Sequence, residues 1–343
     1  MRINYWTTAP LEPQIEAVSK EVLELATHFR GRILAVNPHL SVRVEDRGRV
    51  LGFNPGWDPL LRLAIPLLER GADVNHVYGE TSPWIFHKTL RRRPIVLTMA
   101  TEKGQLVPEF LERCCAVVVQ TYGMVRSLER QGISGPRVRL IYPGIDLQAF
   151  QPGTGVRTNP KPRVLLATFP RASGEMAERG VTFLLDVARE CPHIEFSLLS
   201  RPWRTGGTAA EATRQLIAAG NLTNVTLLDG VQDDMRALYL QHDFTVIPFT
   251  TPDGGKECPR SLVETMACGV PVLISEVAQF SAFVRERACG QVFALDPQSF
   301  AGAVDAALSR YQVIRENAIR ESRAHFDLRA TMKSYAEIYE AAH

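Results

Sequence analysis

Short apolar runs rich in Val, Ile and Leu alternate along most of this chain with segments whose apolar residues recur at helical spacing, and that alternation limits the fold more than any other feature. Residues 2–7, 33–36, 73–78, 95–99 and 116–120 read as strands. Ile15, Val18, Val22, Leu25 and Ala26 mark one helix, and 60–68, 83–90 and 124–131 mark others. Residues 151–163, QPGTGVRTNPKPR, are polar and rich in Pro and Gly, and read as a linker between domains. The alternation then resumes, with strands at 164–168, 194–199, 225–227, 244–248, 270–274 and 291–293 and helices at 181–189, 208–219, 235–241 and 261–268. Strands that alternate with helices build parallel sheets covered on both faces. The expectation is an α/β chain of two doubly wound domains with a cleft between them and ligands at the carboxyl ends of the strands.

The most informative single stretch is Ile247 to Ser275, IPFTTPDGGKECPRSLVETMACGVPVLIS, which reads as strand, Gly- and Pro-punctuated loop, two-turn helix and strand. Ser261 and Glu264 have the spacing of a capping box, and Gly269 and Pro271 supply the stop. A helix start offers unpaired N–H groups and partial positive charge, to which Lys256 and Arg260 add two full charges. Gly254-Gly255 lets a ligand come close to the main chain. These features suit a cradle for a diphosphate with a hydroxylated group beyond it. On local chemistry alone they suit equally an ordinary strand-to-helix loop in which Glu264 serves only the cap.

Composition removes several classes of function. The 343 residues suffice for two domains, each with its own core, and 45% hydrophobic content is that of an ordinary globular protein. A net charge of +2 with 22% charged residues does not call for nucleic acid. Six cysteines without CxxC spacing or nearby His ligands imply a reduced compartment, with Cys191 and Cys268 as core filler and Cys114-Cys115 as packing. His193, His242, His325 and His343 lack metal-ligand spacing, so no metal site is expected. No stretch approaches eighteen consecutive apolar residues, and MRINYWTTAPLEP has no signal-peptide core, so the expected location is the cytoplasm. No GxGxxG follows a strand, and Gly153-x-Gly155 lies in the linker, which disfavours a dehydrogenase-type dinucleotide site.

Three segments together resemble one family. The run RVRLIYPGIDLQAFQP, Arg137 to Pro152, resembles the interdomain segment of retaining glycosyltransferases of family 4, a branch of the group 1 glycosyltransferases with the GT-B fold of two facing Rossmann-like domains. CPRSLVETMACGVPVLIS resembles that family's donor-binding helix, and NVTLLDGVQDDMRALYLQHDFTVIPF its segment from the nucleobase pocket to the sugar loop. His325 to Tyr339, with Phe326, Tyr335 and Tyr339 in an FxxxxxxxxYxxxY pattern, resembles its last helix, which crosses back onto the N-terminal domain. The likeness spans nearly all of residues 114–339 and is weaker before that.

The resemblance implies an acceptor-side domain at 1–152, joined by the helix at 324–343, and a donor domain at 153–323. It implies a metal-independent hexosyl transfer, with retention, from a UDP- or GDP-type nucleotide sugar to an acceptor such as a saccharide, a lipid-linked glycan or a small molecule. The nucleotide sugar is a co-substrate, and no cofactor is required. Breaking the bond to the leaving diphosphate develops negative charge there, which fixed cations and N–H donors stabilise. Arg171 and Arg179, in FPRASGEMAERGVTF, stand where the family carries an Arg and a Lys on the diphosphate. An Arg in place of Lys keeps the charge and adds a two-pronged grip. Val231, Gly255, Lys256, Cys258, Pro259, Arg260, Ser261, Leu262 and Glu264 fall on the donor-binding positions, with Glu264 directed to the ribose. The family's motif places a glutamate eight residues before Glu264, where this chain has Lys256. Either Glu257, one residue later, reaches the sugar, or Lys256 faces the donor and selects an acidic or altered one.

The N-terminal half departs further from the family. Met99 stands where relatives carry a histidine beside the sugar, and a thioether neither donates a strong hydrogen bond nor changes charge. His76 and His87 are the nearby substitutes, and a structural role suits both better. TTAPLEP lacks the glycine pair often seen after the first strand. Glu102, Lys103 and Gln105 would line the acceptor side. Arg91-Arg92-Arg93, preceded by Trp84, Ile85 and Phe86, reads either as a solvated helix end or as a basic, aromatic patch for peripheral contact with the inner face of a membrane. A nucleotide-sugar-binding or regulatory protein that has lost turnover is the alternative that Met99 and the displaced glutamate leave open.

Overall fold

A computed structural model describes residues 1–37, 43–45, 50–53, 58–79, 84–100, 107–155, 159–203, 207–252 and 254–343. The chain divides into two units, Met1–Pro143 with Arg329–His343, and Gly144–Leu328.

Unit 1 is built on eight strands, β1 Ile3–Thr7, β2 Arg32–Val36, β3 Arg43–Glu45, β4 Val50–Phe53, β5 Val74–Gly79, β6 Ile95–Met99, β7 Cys114–Val119 and β8 Val138–Leu140. Their order is β3-β4-β2-β1-β5-β6-β7-β8, parallel throughout except for the antiparallel β3/β4 pair. The helices are α1 Ala17–His28, α2 Asp58–Glu69, α3 Trp84–Thr89, α4 Pro108–Arg113 and α5 Tyr122–Arg130, and the final helix of the chain belongs here as well. Side chains of successive strand residues point to opposite faces. One face is an apolar core of Trp6, Val77, Phe86, Leu97, Phe110 and Val117. The other carries Tyr5, His76 and Thr98, all buried.

Unit 2 carries β9 Arg163–Leu166, β10 Glu195–Ser200, β11 Val225–Asp229, β12 Phe244–Ile247, β13 Val272–Ser275 and β14 Gly290–Phe293. Its helices are α6 Val181–Glu190, α7 Ala209–Gly220, α8 Met235–Leu240, α9 Arg260–Ala267, α10 Ser281–Arg287, α11 Pro297–Ser309 and α12 Tyr311–His325, after which the final helix, α13 Leu328–Ala342, returns to unit 1. The sheet is wholly parallel in the order β11-β10-β9-β12-β13-β14. Numbered within the unit this is 3-2-1-4-5-6, a doubly wound order whose direction reverses between β9 and β12. Residues 151–155, read as part of a linker, are tied to this unit: Gly153 N–H donates to the Cys268 carbonyl at 3.2 Å, Arg315 Nη2 to the Gly153 carbonyl at 2.6 Å and Arg236 Nε to the Gln151 carbonyl at 2.8 Å.

The two α/β domains expected from the sequence are present, and each strand read there is found within about two residues of its place. The short β3, β4 and β8, and helices α4, α10, α11 and α12, were not read. Three-residue β3 and β8 are too short to show a period of two.

Candidate nucleotide-binding site

The reversal between β9 and β12 leaves a crevice at their carboxyl ends, where neighbouring connections depart to opposite faces of the sheet. After β9 the chain runs through Thr168 and Arg171, a 3-10 turn at Ser173–Glu175, and Arg179-Gly180 into α6. After β12 it runs from Pro248 to Pro259 into α9. The two loops interlock. Thr250 donates its N–H to the Glu178 carbonyl at 3.0 Å and its hydroxyl to the Ala177 carbonyl at 2.9 Å. Gly180 has φ 74°, and a Cβ there would overlap the Pro248 carbonyl, so both conformation and space demand glycine. Gly255 packs on the Phe249 ring and on Arg179 Nη1 so closely that a Cβ would collide with both.

Cations gather on this scaffold. Arg179 is half-buried, with its guanidinium carbon 5.6 Å from the Phe249 ring centroid. Burial lowers its pKa, the nearby Arg201 charge adds to that, and Glu175 and Glu178 oppose it. Arg171 lies with its guanidinium carbon 5.8 Å from the Trp203 ring centroid, and its N–H donates to Glu175 Oε2 at 3.2 Å. Arg201, just past β10, donates from Nη2 to the Ala167 carbonyl at 3.0 Å, and its charge acts on both Arg179 and Tyr239. Three arginines from the ends of β9 and β10 thus share one region, and like charges crowded in partly buried surroundings favour an anion between them. Lys256 is half-buried in the same loop.

Among the described residues, Thr168 Oγ1, Trp203 Nε1 and Ser261 Oγ are buried polar atoms with no hydrogen-bond partner. They belong to the loop after β9, the loop after β10 and the first turn of α9. Buried polar atoms are nearly always satisfied, so three orphans at one end of one sheet mark a place where a polar ligand fits.

Helix α9 differs from its reading in sequence. Its N-cap is Pro259 with no side-chain hydrogen bond, so Ser261 lies inside the first turn and does not cap it. Nor does Glu264 reach back to close a capping box. Its Oε1 accepts from Arg260 Nε at 2.9 Å and its Oε2 from the Tyr239 hydroxyl at 2.9 Å. Burial and then the Glu264 charge push the Tyr239 pKa well up. Both partners of the Arg260–Glu264 pair are buried. The stop is as read. The Gly269 N–H donates to Met266 and the Val270 N–H to Thr265, at 3.0 Å each, and Gly269 has φ 72°, which together form a Schellman ending. All eight residues of α9 are buried, and Thr265 Oγ1 meets Thr245 Oγ1 of β12 at 2.8 Å, fixing the helix to the sheet.

Glu257, Cys258, Pro259 and Leu262 are buried, and Val231, beyond the end of β11, is 42% exposed. Arg201 and Trp203 were missed. The signal was an Arg-Pro-Trp placed directly after a strand, which only the sheet order makes meaningful.

In unit 1 the structural role preferred for His76 agrees with its surroundings, while the readings of Phe86 and Cys115 change. His76 is fully buried, with Nδ1 2.6 Å from the Tyr339 hydroxyl and Nε2 2.8 Å from Thr98 Oγ1. Burial lowers its pKa to about 3, so it is a neutral structural side chain and not a substitute for the histidine missing at Met99. Met99 is buried in the apolar core. Phe86 is buried there too and contributes nothing to a surface patch. Cys115 is exposed while Cys114 is buried, so only half of that pair is packing. Glu102, Lys103 and Gln105 lie outside the described residues. Among those described, no helix is long and apolar enough to cross a membrane, and no group of three or more His, Cys, Asp or Glu is arranged to hold a metal ion.

Residues 172–310 match the model of the glycosyl transferases group 1 family. No curated protein matches the chain in sequence. Among solved structures, that of Anabaena Alr3699/HepE in complex with UDP and glucose is 17% identical and superposes with a TM-score of 0.77 over 99% of this chain and 100% of that one. Sucrose-phosphate synthase (tll1590) from Thermosynechococcus elongatus gives 0.73 at 17% identity over 99% of each chain. WaaG, a glycosyltransferase involved in lipopolysaccharide biosynthesis, gives 0.68 at 14% identity over 99% of each chain. The fold is therefore GT-B, and the match to the group 1 glycosyltransferase model falls within its second unit.

Proposed function

We propose that the chain is a retaining glycosyltransferase that moves a sugar from a nucleotide-sugar donor to an acceptor hydroxyl. The observation that carries this reading is the convergence of Arg171, Arg179 and Arg201 with the start of α9 and three orphan polar atoms at the β9/β12 reversal. In the reaction the bond from the anomeric carbon to the β-phosphate oxygen breaks and a bond to the acceptor oxygen forms. The diphosphate departs with the bonding electrons, and the acceptor proton passes to one of its oxygens. Its growing negative charge is what Arg171 and Arg179 stabilise, with Arg201 adding to the field. One well-placed donor of this kind is typically worth about 3 kcal/mol of barrier. Protein cations do the work that a divalent metal does elsewhere. Glu264 holds the ribose while Arg260 and Tyr239 fix the carboxylate. Glu257 faces the sugar, with Lys256 beside it.

A UDP-type donor is favoured because the structural neighbours include complexes with UDP and UDP-glucose. Transfer is tested by nucleoside diphosphate release from UDP- and GDP-sugars with and without a panel of saccharide and lipid-linked acceptors. Release stimulated by an acceptor is expected. Donor binding with no release under any condition would instead assign the chain to binding or regulation.

A further inference from the structure

Between the edge strand of unit 1 and the final helix lies a cavity of about 430 Å³, within the range of sites that hold small molecules. Its position follows from the sheet. Val138 and Leu140 of the edge strand β8 pack against the apolar core on one face, so Arg139 between them stands on the other. Arg139 is in register with Val118 and, through it, with Thr98, whose hydroxyl lies 3.0 Å from that of Tyr335 in α13. Arg139 is therefore on the face that α13 covers. Tyr335 and Tyr339 centre this helix on Thr98 of β6 and His76 of β5, inward from the edge. Beside it Ala116 of β7 offers only a methyl group, and the space over β7 and β8 stays unfilled.

The cavity has an apolar floor and a cationic border. Ala116, Ile141 and Ile338 are buried, while Arg137 is half-buried and Arg139 exposed. The helix wall is held in place at its start, where Thr331 Oγ1 donates to the Tyr142 carbonyl at 3.4 Å. Arg137 Nη1 donates to the Glu112 carbonyl at 3.1 Å, which fixes one guanidinium in position. Among the described residues neither arginine takes part in an ion pair. Glu337 is the single carboxylate in the lining, so two guanidinium groups against one acid leave the cavity cationic. Like charges brought close favour an anion between them, and guanidinium groups grip carboxylate or phosphate oxygens in pairs.

We propose that this cavity binds a small organic anion, with a carboxylate or phosphate head on Arg137 and Arg139 and a short aliphatic body against Ala116, Ile141 and Ile338. Cys115 lies near the amino end of β7 and Arg137 just before β8, whereas α/β sheets take their substrates at the carboxyl ends. The site is thus distinct from any that the transferase reading needs, and does not rest on that reading.

Cys115 supplies the readout, because it lines the cavity and is exposed while the other five cysteines are buried. The full chain is alkylated with iodoacetamide, a neutral reagent, in the presence of butyl phosphate, hexanoate, inorganic phosphate or hexanol, and peptide mass spectrometry follows Cys115. Calorimetric titration of butyl phosphate and hexanoate reads the same binding without the thiol. One of these two anions is expected to slow alkylation about fivefold when present at about four times its dissociation constant, and the better protector identifies the head group. Inorganic phosphate and hexanol each lack one half of the ligand and are expected to protect far less. The double variant R137Q/R139Q, checked for folding by circular dichroism and melting temperature, is expected to lose both protection and titration heat. R139Q alone, a change at an exposed position, takes its place if the double variant does not fold. Absence of both protection and heat with either anion overturns the proposal, as does protection of the folded variant equal to wild type. Equal protection by hexanol removes the anion from it, and equal protection by inorganic phosphate removes the aliphatic body. Shielding of Cys115 that grows with protein concentration and ignores every probe also overturns it, because a second copy of the chain then covers the cavity.

Discussion

At the scale of single residues, the proposed donor site depends on charges held by packing. Arg179→Ala removes a cation that is half-buried over Phe249, and steady-state kinetics should show turnover reduced at least tenfold with the melting temperature nearly unchanged. Unchanged turnover would remove Arg179 from the phosphate role. Gly180→Ala should act on stability instead. A left-handed φ in a non-glycine residue costs roughly 1–2 kcal/mol, and overlap with a backbone carbonyl adds about as much again, so urea titration should show a loss of about 3 kcal/mol. Glu264→Ala removes a buried ion-pair partner of Arg260, and a loss of about 3 kcal/mol is expected there too. These residues also show where a sequence misleads. Ser261 and Glu264 have the spacing of a capping box, yet the carboxylate bonds Arg260 and Tyr239, because a buried arginine needs a counter-ion more than a helix start needs a second cap. Nothing in a linear string announces that pairing, since Tyr239 comes from α8.

At the scale of elements, α13 is bound to unit 1 by polar side chains under an otherwise apolar fold. Tyr339 and Tyr335 reach the sheet through His76 and Thr98, with Thr98 Oγ1 3.0 Å from the Tyr335 hydroxyl. The His76 pKa, lowered by burial from 6.5 to about 3, means that the folded state binds this proton less readily than the unfolded chain. Its contribution to stability is complete above about pH 6.5 and is lost as the pH falls toward 3, at up to about 1.4 kcal/mol per pH unit. Denaturant titrations at pH 7.5 and pH 5 should therefore differ less for His76→Gln than for wild type. Equal pH dependence in the two proteins would show that His76 does not titrate in this way. The FxxxxxxxxYxxxY pattern pointed to this helix, but the histidine it meets is 263 residues away from Tyr339, a pairing that only the fold creates. The donor loop was readable because its parts are contiguous. Its third arginine, Arg201, was not, because it enters from a strand separated from β12 by β9.

At the scale of the whole molecule, repetition made the architecture plain: short apolar runs recurring between helical segments marked most strands of both sheets, while three-residue β3 and β8 left no pattern to read. The surface was least legible. Leu60, Leu63 and Leu67 of α2 have ordinary helical spacing and would suit a core equally well, and only their exposure distinguishes them. The central claim concerns one place, the carboxyl end of the unit 2 sheet, whose arginines would bind a nucleoside diphosphate. Calorimetric titration of UDP and GDP into the wild type and Arg179→Ala tests this most directly. Saturable binding of one of the two to the wild type at one site per chain, weakened at least tenfold in the variant, is the expected outcome. Absence of binding by either nucleotide, or equal affinity in wild type and variant, would contradict it.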